Sequence, residues 1–257
     1  MNDLFSLDQK VAVVTGGNGG IGQGIVRGFA SMGADVAIVA RNSRKTESAV
    51  NEIREAFGVR VLGLSVDVTD EETVQQMVEE VSRELGRIDI LVNNAGINIR
   101  KMPQDFKVSE WDQVMAGNLR SAFLCSRSVY PAMKAAGGGK IINIGSMTSI
   151  FGGAKLGAYS ASKGGIVQMT RSLACAWAED NIQVNAILPG WIDTEMTKQA
   201  RIDITGLNEK VIARTPTGRW GETQELQGAA IFLGSRASDF VTGIALPVDG
   251  GFSCNIL

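Results

Sequence analysis

The chain contains no histidine. That absence removes Ser-His-Asp and Cys-His nucleophilic catalysis, the usual zinc sites, and dehydrogenases that use an imidazole as acid and base. Any proton transfer falls to Tyr, Lys, Cys or a carboxylate. Cysteine is scarce: Cys125, Cys175 and Cys254 are widely scattered and form no C-x-x-C. An odd, dispersed set reads as reduced thiols, so neither disulfides nor a thiolate metal site is expected, and no metal is called for. No stretch approaches the roughly 18 apolar residues of a membrane span. Met1 to Lys10 holds two acids and no long apolar run, unlike a secretory signal. Basic runs and aromatic-interleaved basic patches are missing as well. With a net charge of -2 and a pI near 5.4, nucleic acid and anionic membrane are excluded as main partners. There is no Pro/Ser-rich linker, repeat or low-complexity segment. What these absences leave is a soluble, cytoplasmic protein of one domain over residues 1–257, and its 44% hydrophobic content is ample for a core.

What is present is an alternation. Val11-Ala12-Val13-Val14 is a short β-branched run leading into a glycine-rich turn, and Ile21, Ile25, Phe29 and Met32 then recur at helical spacing up to Gly33. Strand-like runs follow at 34–40, 60–66, 88–92, 140–144, 183–188 and 244–248. Helical patterns lie between them, including 71–85, 111–135, 159–178 and 222–233. Strands alternating with helices of this length predict βαβ units. The expected fold is α/β: a Rossmann-like, doubly wound parallel sheet of about seven strands with helices on both faces.

Thr15-Gly16-Gly17-Asn18-Gly19-Gly20-Ile21-Gly22 joins the first strand to the first helix. Glycines there let the backbone turn tightly and approach a pyrophosphate, whose charge faces the unpaired N–H groups of the helix start. The spacing is T-G-x-x-x-G-x-G, not the commoner G-x-G-x-x-G. About twenty residues on, an Asp or Glu would hydrogen-bond a ribose 2′-hydroxyl. This chain has Ala40-Arg41-Asn42. A small neutral residue beside a planar cation suits a 2′-phosphate, which favours NADP(H) and leaves NAD possible.

Tyr159-Ser160-Ala161-Ser162-Lys163 places a phenol and an ammonium at i and i+4, on one helix face. Taken alone, such a pair is most often an ordinary surface contact. Beside a nucleotide turn it becomes a candidate acid/base, because a nearby cation favours the phenolate over a phenol of pKa about 10.

Further motifs occur in order on the expected elements: Asp67-Val68 after the third strand, Asn93-Asn94-Ala95-Gly96 after the fourth, and Asn118 in Gly117-Asn118-Leu119. Ser146 follows Ile144-Gly145, and Pro189-Gly190 precedes Ile192 and Thr194. With the glycine turn and Tyr-x-x-x-Lys, this set resembles the short-chain dehydrogenase/reductase family over nearly the whole chain. The resemblance implies a catalytic group of Asn118, Ser146, Tyr159 and Lys163. Ser146 would hold the substrate oxygen, Tyr159 would exchange its proton, Lys163 would lower the tyrosine pKa and bond the nicotinamide ribose, and Asn118 would help hold a relay water. It implies coenzyme contacts at Gly16, Asn18, Gly20, Ile21, Gly22, Arg41, Asn42, Asp67, Val68, Asn94, Ala95, Gly96, Tyr159, Lys163, Pro189, Gly190, Ile192 and Thr194. It also implies a homotetramer, with the helices at 111–135 and 157–178 at one interface and Val241 to Leu257, including Phe252, Ile256 and Leu257, at another.

Substrate selection is expected from the irregular stretch 190–219, read as a lid, with Trp191, Met196, Ile202, Ile204 and Leu207. Met147, Thr148, Ile97, Asn98 and Arg100 are further candidates. Thr215 to Gly221, Ala237 to Gly243 and Val248 to Gly251 resemble the bacterial branch of sugar, sugar-acid and polyol dehydrogenases, of gluconate 5-dehydrogenase or glucose 1-dehydrogenase type. The implied reaction is hydride transfer between a nicotinamide and a secondary alcohol/ketone or hemiacetal. The same tail occurs in 3-oxoacyl-[acyl-carrier-protein] reductases, which stay open as the alternative. A non-catalytic nucleotide-binding sensor is a third.

Overall fold

Alternate residues of the strand Val11–Thr15 (β1) point to opposite faces, and both faces are buried. Ala12 and Val14 join one hydrophobic core, Val11 and Val13 the other. The same split recurs in Asp35–Ala40 (β2), where Val36 and Ile38 oppose Ala37 and Val39. A strand apolar on both sides needs helices on both sides. The computed structural model describes residues 4–255, and there these strands continue with Val61–Ser65 (β3), Ile90–Asn93 (β4), Gly139–Ile144 (β5), Ile182–Pro189 (β6) and Ala245–Val248 (β7). All neighbours pair in parallel, in the order β3-β2-β1-β4-β5-β6-β7.

Helices Gly20–Ser31 (α1), Ser43–Phe57 (α2) and Gln227–Gly234 (α9) pack on one face through Ile25, Phe29, Ile53 and Leu233. Glu71–Leu85 (α3), Ser121–Ala135 (α5) and Gly157–Trp177 (α6) cover the other through Val74, Met77, Val129, Met133 and Ala174. The chain steps outward from β1 to β3, returns to β4, and then proceeds the opposite way. The reversal opens a crevice beyond the carboxyl ends of β1 and β4, where open parallel sheets bind ligands. Buried amides tie the neighbouring strands there. Asn93 Nδ2 donates to Asn143 Oδ1 at 2.8 Å, and Asn143 Nδ2 donates to Thr170 Oγ1 at 2.9 Å. This chain of bonds ties β4, β5 and α6 together.

Three expectations change. The helix expected over 111–135 starts earlier, as Val108–Met115 (α4), and is interrupted by a π-helical turn, Ala116–Arg120, before α5. A wider turn leaves no mark on an apolar pattern. The stretch 190–219 is not irregular: it carries Glu195–Asp203 (α7) and Leu207–Arg214 (α8). Thr194 caps α7 by accepting from Thr197 N–H at 3.3 Å, whereas the apolar face is too short for its period to show in sequence. Phe252 is buried, packed with Phe151, Trp191 and Met147, so it does not offer the exposed contact expected of it. Ile256 and Leu257 lie outside the described residues.

Candidate active site

The glycine turn is held from three directions. Thr15 Oγ1 donates to Val92 O (3.2 Å) and accepts from the N–H groups of Asn94 (3.0 Å) and Ala95 (3.1 Å). Asn94 Nδ2 returns bonds to Thr15 O (3.0 Å) and Gly16 O (3.1 Å). Gly16 has φ +64°, which favours glycine. Gly22 sits so close beneath the turn that a Cβ there would lie 2.2 Å from Gly16 O. Asn18 is spent on structure: its Nδ2 donates to Thr46 Oγ1 at 3.0 Å and to Asn42 O at 3.4 Å, fastening the turn to α2. No side chain caps the start of α1, and its first turn holds no acid. By contrast α2 and α3 are capped by Asn42 and Asp70. The amide groups around Gly20, Ile21 and Gly22 therefore present the positive end of a helix to a polyphosphate.

Two cavities run along this edge and meet at Gly16, Asn18, Lys45, Ala95 and Gly96. The smaller, about 470 Å³, is lined by Ala40, Arg41, Asn42, Asp67 and Val68, the shape expected for the adenosine half of a dinucleotide. Asp67 accepts from Thr69 N–H (3.0 Å) and Thr69 Oγ1 (2.8 Å). These bonds, helped by the charge of Arg41, hold its carboxyl below the ordinary range against a smaller effect of burial. Asn42 uses its Oδ1 to accept from Lys45 N–H at 3.0 Å, so its first role is a helix cap. Lys45, outside the sequence expectations, lays its ammonium over the turn, 2.6 Å from where a Cβ on Gly19 would stand. Its signal was only a second cation on the first turn of α2. A chain with Arg41 and Lys45 here, and no acid at the end of β2, fits a 2′-phosphorylated coenzyme better than a bare ribose.

The larger cavity, about 580 Å³, brings together Ser146, Tyr159, Lys163, Pro189, Gly190, Ile192 and Thr194 with the glycine turn and Asn94 to Gly96. Ser146 stands just past β5. Its Oγ accepts from Thr148 N–H at 3.1 Å, and its own N–H donates to Ser149 Oγ at 3.2 Å. Ser149 Oγ in turn donates to Lys163 O at 2.8 Å, pinning the Ser146 loop to α6. Tyr159 is half-buried, with its open surface on the cavity. Burial pushes its phenol up, while a hydrogen bond from Ser146 and the charge of Arg100 oppose that rise.

Lys163 lies beneath the phenol and bonds the backbone. It is buried, its Nζ donates to Ile144 O at 2.7 Å, and it stands 5.8 Å from the Tyr159 ring centroid. Burial lowers its pKa to about 8. The hydrogen bond from Ser146 and the charge of Arg100 favour the phenolate, and Lys163, with its pKa still above neutrality, adds a cation beside the ring. Asn118 is buried within the π turn. Its Oδ1 accepts from Ile97 N–H (2.7 Å), and its Nδ2 donates to Ile97 O (3.0 Å) and Ser162 Oγ (2.9 Å). The side chain clamps the 96–98 segment to α6 from within the π turn.

On the lid side, Gly190 N–H donates to Val248 O at 3.0 Å. Ile192 is buried and bridges to Gly221. Thr194 lies over the glycine turn, its Cγ2 3.5 Å from a Cβ built on Gly20. The cavity also gathers Asn98, Arg100, Met147, Thr148, Trp191 and Met196 from the expected substrate candidates. Ile202 and Ile204 stay outside it, exposed on the lid. Phe151, Arg214 and Phe252 join it without any sequence signal, since α8 and the segment after β7 reach the site only by folding back. Among the described residues no cluster of three or more Cys, Asp or Glu side chains is arranged to hold a metal.

A family model described as enoyl-(acyl carrier protein) reductase matches residues 16–253. The 2-dehydro-3-deoxy-D-gluconate 5-dehydrogenase of Dickeya dadantii is 43% identical over 251 residues, covering 97% of this chain and 98% of the relative. The gluconate 5-dehydrogenase of Gluconobacter oxydans is 39% identical, covering 99% and 98%. A crystal structure of a gluconate 5-dehydrogenase from Burkholderia cenocepacia, in complex with NADP and tartrate, superposes with a TM-score of 0.94 at 38% identity, covering 99% of each chain. Matched in sequence and in fold along almost its whole length, the chain belongs to the short-chain dehydrogenase/reductase family.

Proposed function

We propose that the protein interconverts a secondary alcohol and a ketone on a sugar acid of the gluconate type, with NADP as its coenzyme. The observation that carries this reading is the convergence of Ser146, Tyr159 and Lys163 on one cavity that begins at the uncapped glycine turn. The sugar-acid specificity draws on the relatives named above, which act on gluconate or its dehydro-deoxy analogue by name. The coenzyme preference draws on Arg41 and Lys45 at the adenosine cavity and on the NADP held by the Burkholderia enzyme.

The bound nicotinamide supplies the hydride acceptor or donor. The chain's own residues do the rest. Ser146 Oγ, with its N–H neighbours engaged and its hydroxyl proton free to point into the cavity, holds the substrate oxygen. Tyr159 takes the alcohol proton as the alcohol becomes a ketone and returns it in reduction. The charge of Arg100 favours the phenolate that this transfer requires. Lys163, buried between the Tyr159 ring and Ile144 O, stands where its ammonium can turn to a ribose hydroxyl. Apolar walls from Met147, Trp191 and Met196 exclude water from the reacting oxygen.

The test is a cofactor-linked screen: NADP+ and NAD+ reduction with gluconate, related sugar acids and polyols, against NADPH oxidation with acetoacetyl thioester. Turnover of sugar acids with NADP+ is expected. Turnover of the thioester alone sinks the sugar reading in favour of an acyl-carrier reductase, and coenzyme binding without turnover of either class points to a sensor. The same reading carries a cytoplasmic homotetramer, supported by the exposed Val108, Trp111 and Phe123 on α4 and α5, with light scattering as its check.

A further inference from the structure

Two guanidinium groups line the larger cavity, from opposite sides of Ser146. Sheet order sets the sides. Arg100 follows β4, Ser146 follows β5, and Arg214 ends α8, packed against Phe252 just after β7. Arg214 is held in an unusual way. Its guanidinium carbon is 4.3 Å from the Phe252 ring centroid and 5.3 Å from that of Phe151, and the two rings meet edge-on at 6.3 Å. Rings orient a guanidinium by its faces and leave its in-plane N–H groups unused. The neighbouring arginines have carboxylate partners: Arg201 pairs with Asp193 at 2.8 Å and Arg219 with both oxygens of Glu225, at 2.6 and 2.7 Å. Among the described residues no carboxylate pairs with Arg214, and no side-chain hydrogen bond engages it.

We propose that Arg214, clamped between Phe151 and Phe252, receives the carboxylate of the substrate and selects sugar acids over neutral sugars. This rests on the sugar-acid reading above and names the group that reads the acid. The location suits it better than that of Arg100. Arg100 acts on the Tyr159 phenol, so a carboxylate bound there would crowd the reacting oxygen with like charge. Arg214 packs on Phe252, which follows β7, whereas the glycine turn follows β1, with β4, β5 and β6 between them in the sheet. A chain whose reacting carbon is held by Ser146 and Tyr159 extends towards it, away from the coenzyme. A planar fork matched to a carboxylate binds bidentately, and contact with both rings restrains this exposed side chain at the cavity wall.

The experiment compares gluconate with its uncharged amide in the wild type, Arg214→Gln and Arg214→Lys. Expected for Arg214→Gln is a rise of about 10- to 100-fold in KM for the acid, with kcat held within about threefold. KM for the amide, NADP+ affinity and melting temperature should stay as in the wild type. Arg214→Lys should restore a large part of the preference for the acid. An unchanged KM for the acid overturns the proposal. So does an equal rise for acid and amide, the mark of a residue that only packs the lid. A wild type that turns over no sugar acid refutes the underlying reading and this assignment with it, and that result is recognised before any variant is made.

Discussion

The glycine turn and the lid face each other across one cavity and are built in opposite ways. The turn is tied to β4, to α2 and to itself by side chains whose bonds are all internal: Thr15, Asn18, Asn94. Its glycines fit so tightly that a single Cβ at Gly22 would strike the backbone. The lid is two short helices around a small core of their own, Ala200, Leu207 and Val211, with Trp191 and Trp220 packed on it. Met196, Ile202, Ile204 and Ile212 are exposed on it. Arg201 lies 4.0 Å over Trp220, and Trp191 meets Trp220 edge-on at 5.4 Å. One region is prebuilt for a ligand of constant shape. The other is held by ring and cation contacts around a small core of its own.

Tyr159→Phe separates chemistry from both regions. Turnover is expected to fall by about 10²- to 10⁴-fold, while NADP+ affinity, measured by calorimetry, stays unchanged. Retained turnover would refute the proton-transfer role. Next in size is Gly22→Ala, which attacks the turn alone. The forced contact with Gly16 O should remove about 1–3 kcal/mol of stability and most of the coenzyme affinity, and a variant that binds NADP+ normally would show that the turn is less rigid than its contacts imply.

Lys163→Met probes what the rigid body gives up in stability to hold a buried amine. The native group titrates near 8 against an ordinary 10.5, so between those values the unfolded chain binds more protons and native stability rises with pH. Below pH 8 the full penalty applies, on the order of 3 kcal/mol. The methionine variant lacks it. Its stability relative to the wild type, read from denaturant midpoints, should therefore fall by about that amount between pH 8 and 10.5; a flat difference would mean the amine is not desolvated. The smallest effect is expected in the lid. Trp220→Ala removes the stack under Arg201 and the bond from Nε1 to Asn208 Oδ1 at 3.0 Å, worth about 1–2 kcal/mol in local order. It should raise KM for substrate several-fold and leave NADP+ affinity alone. Equal loss of both affinities would mean that lid and turn are not independent.

Legibility followed the same division. In the body, periodicity and caps are local. Asp70 and Gly86 bound α3 at Glu71–Leu85, as the sequence predicts, and the glycine turn lies where a strand run meets a helical one. In the lid, an 8-residue helix such as α8 spans barely two turns, so its apolar face shows no period. Its Arg214 has no sequence partner because Phe151 and Phe252 lie far from it in the chain. The π turn at Ala116–Arg120 escaped for a related reason: Asn118 widens the helix to reach Ile97, a contact that no local pattern encodes.

Sequence alone determined the α/β alternation, the parallel sheet, the coenzyme turn and the pairing of Tyr159 with Lys163 on one helix face, because each depends on residues a few positions apart. The tertiary structure decided which atoms those residues meet. Lys163 reaches Ile144 O beneath the Tyr159 ring, Asn118 engages Ile97 and Ser162 with its amide, and Arg214 comes to rest against two rings at the cavity wall. A helix period sets the direction in which a side chain leaves the backbone. The partner at its end is set by where distant strands and helices pack, and the chemistry of the site is settled there.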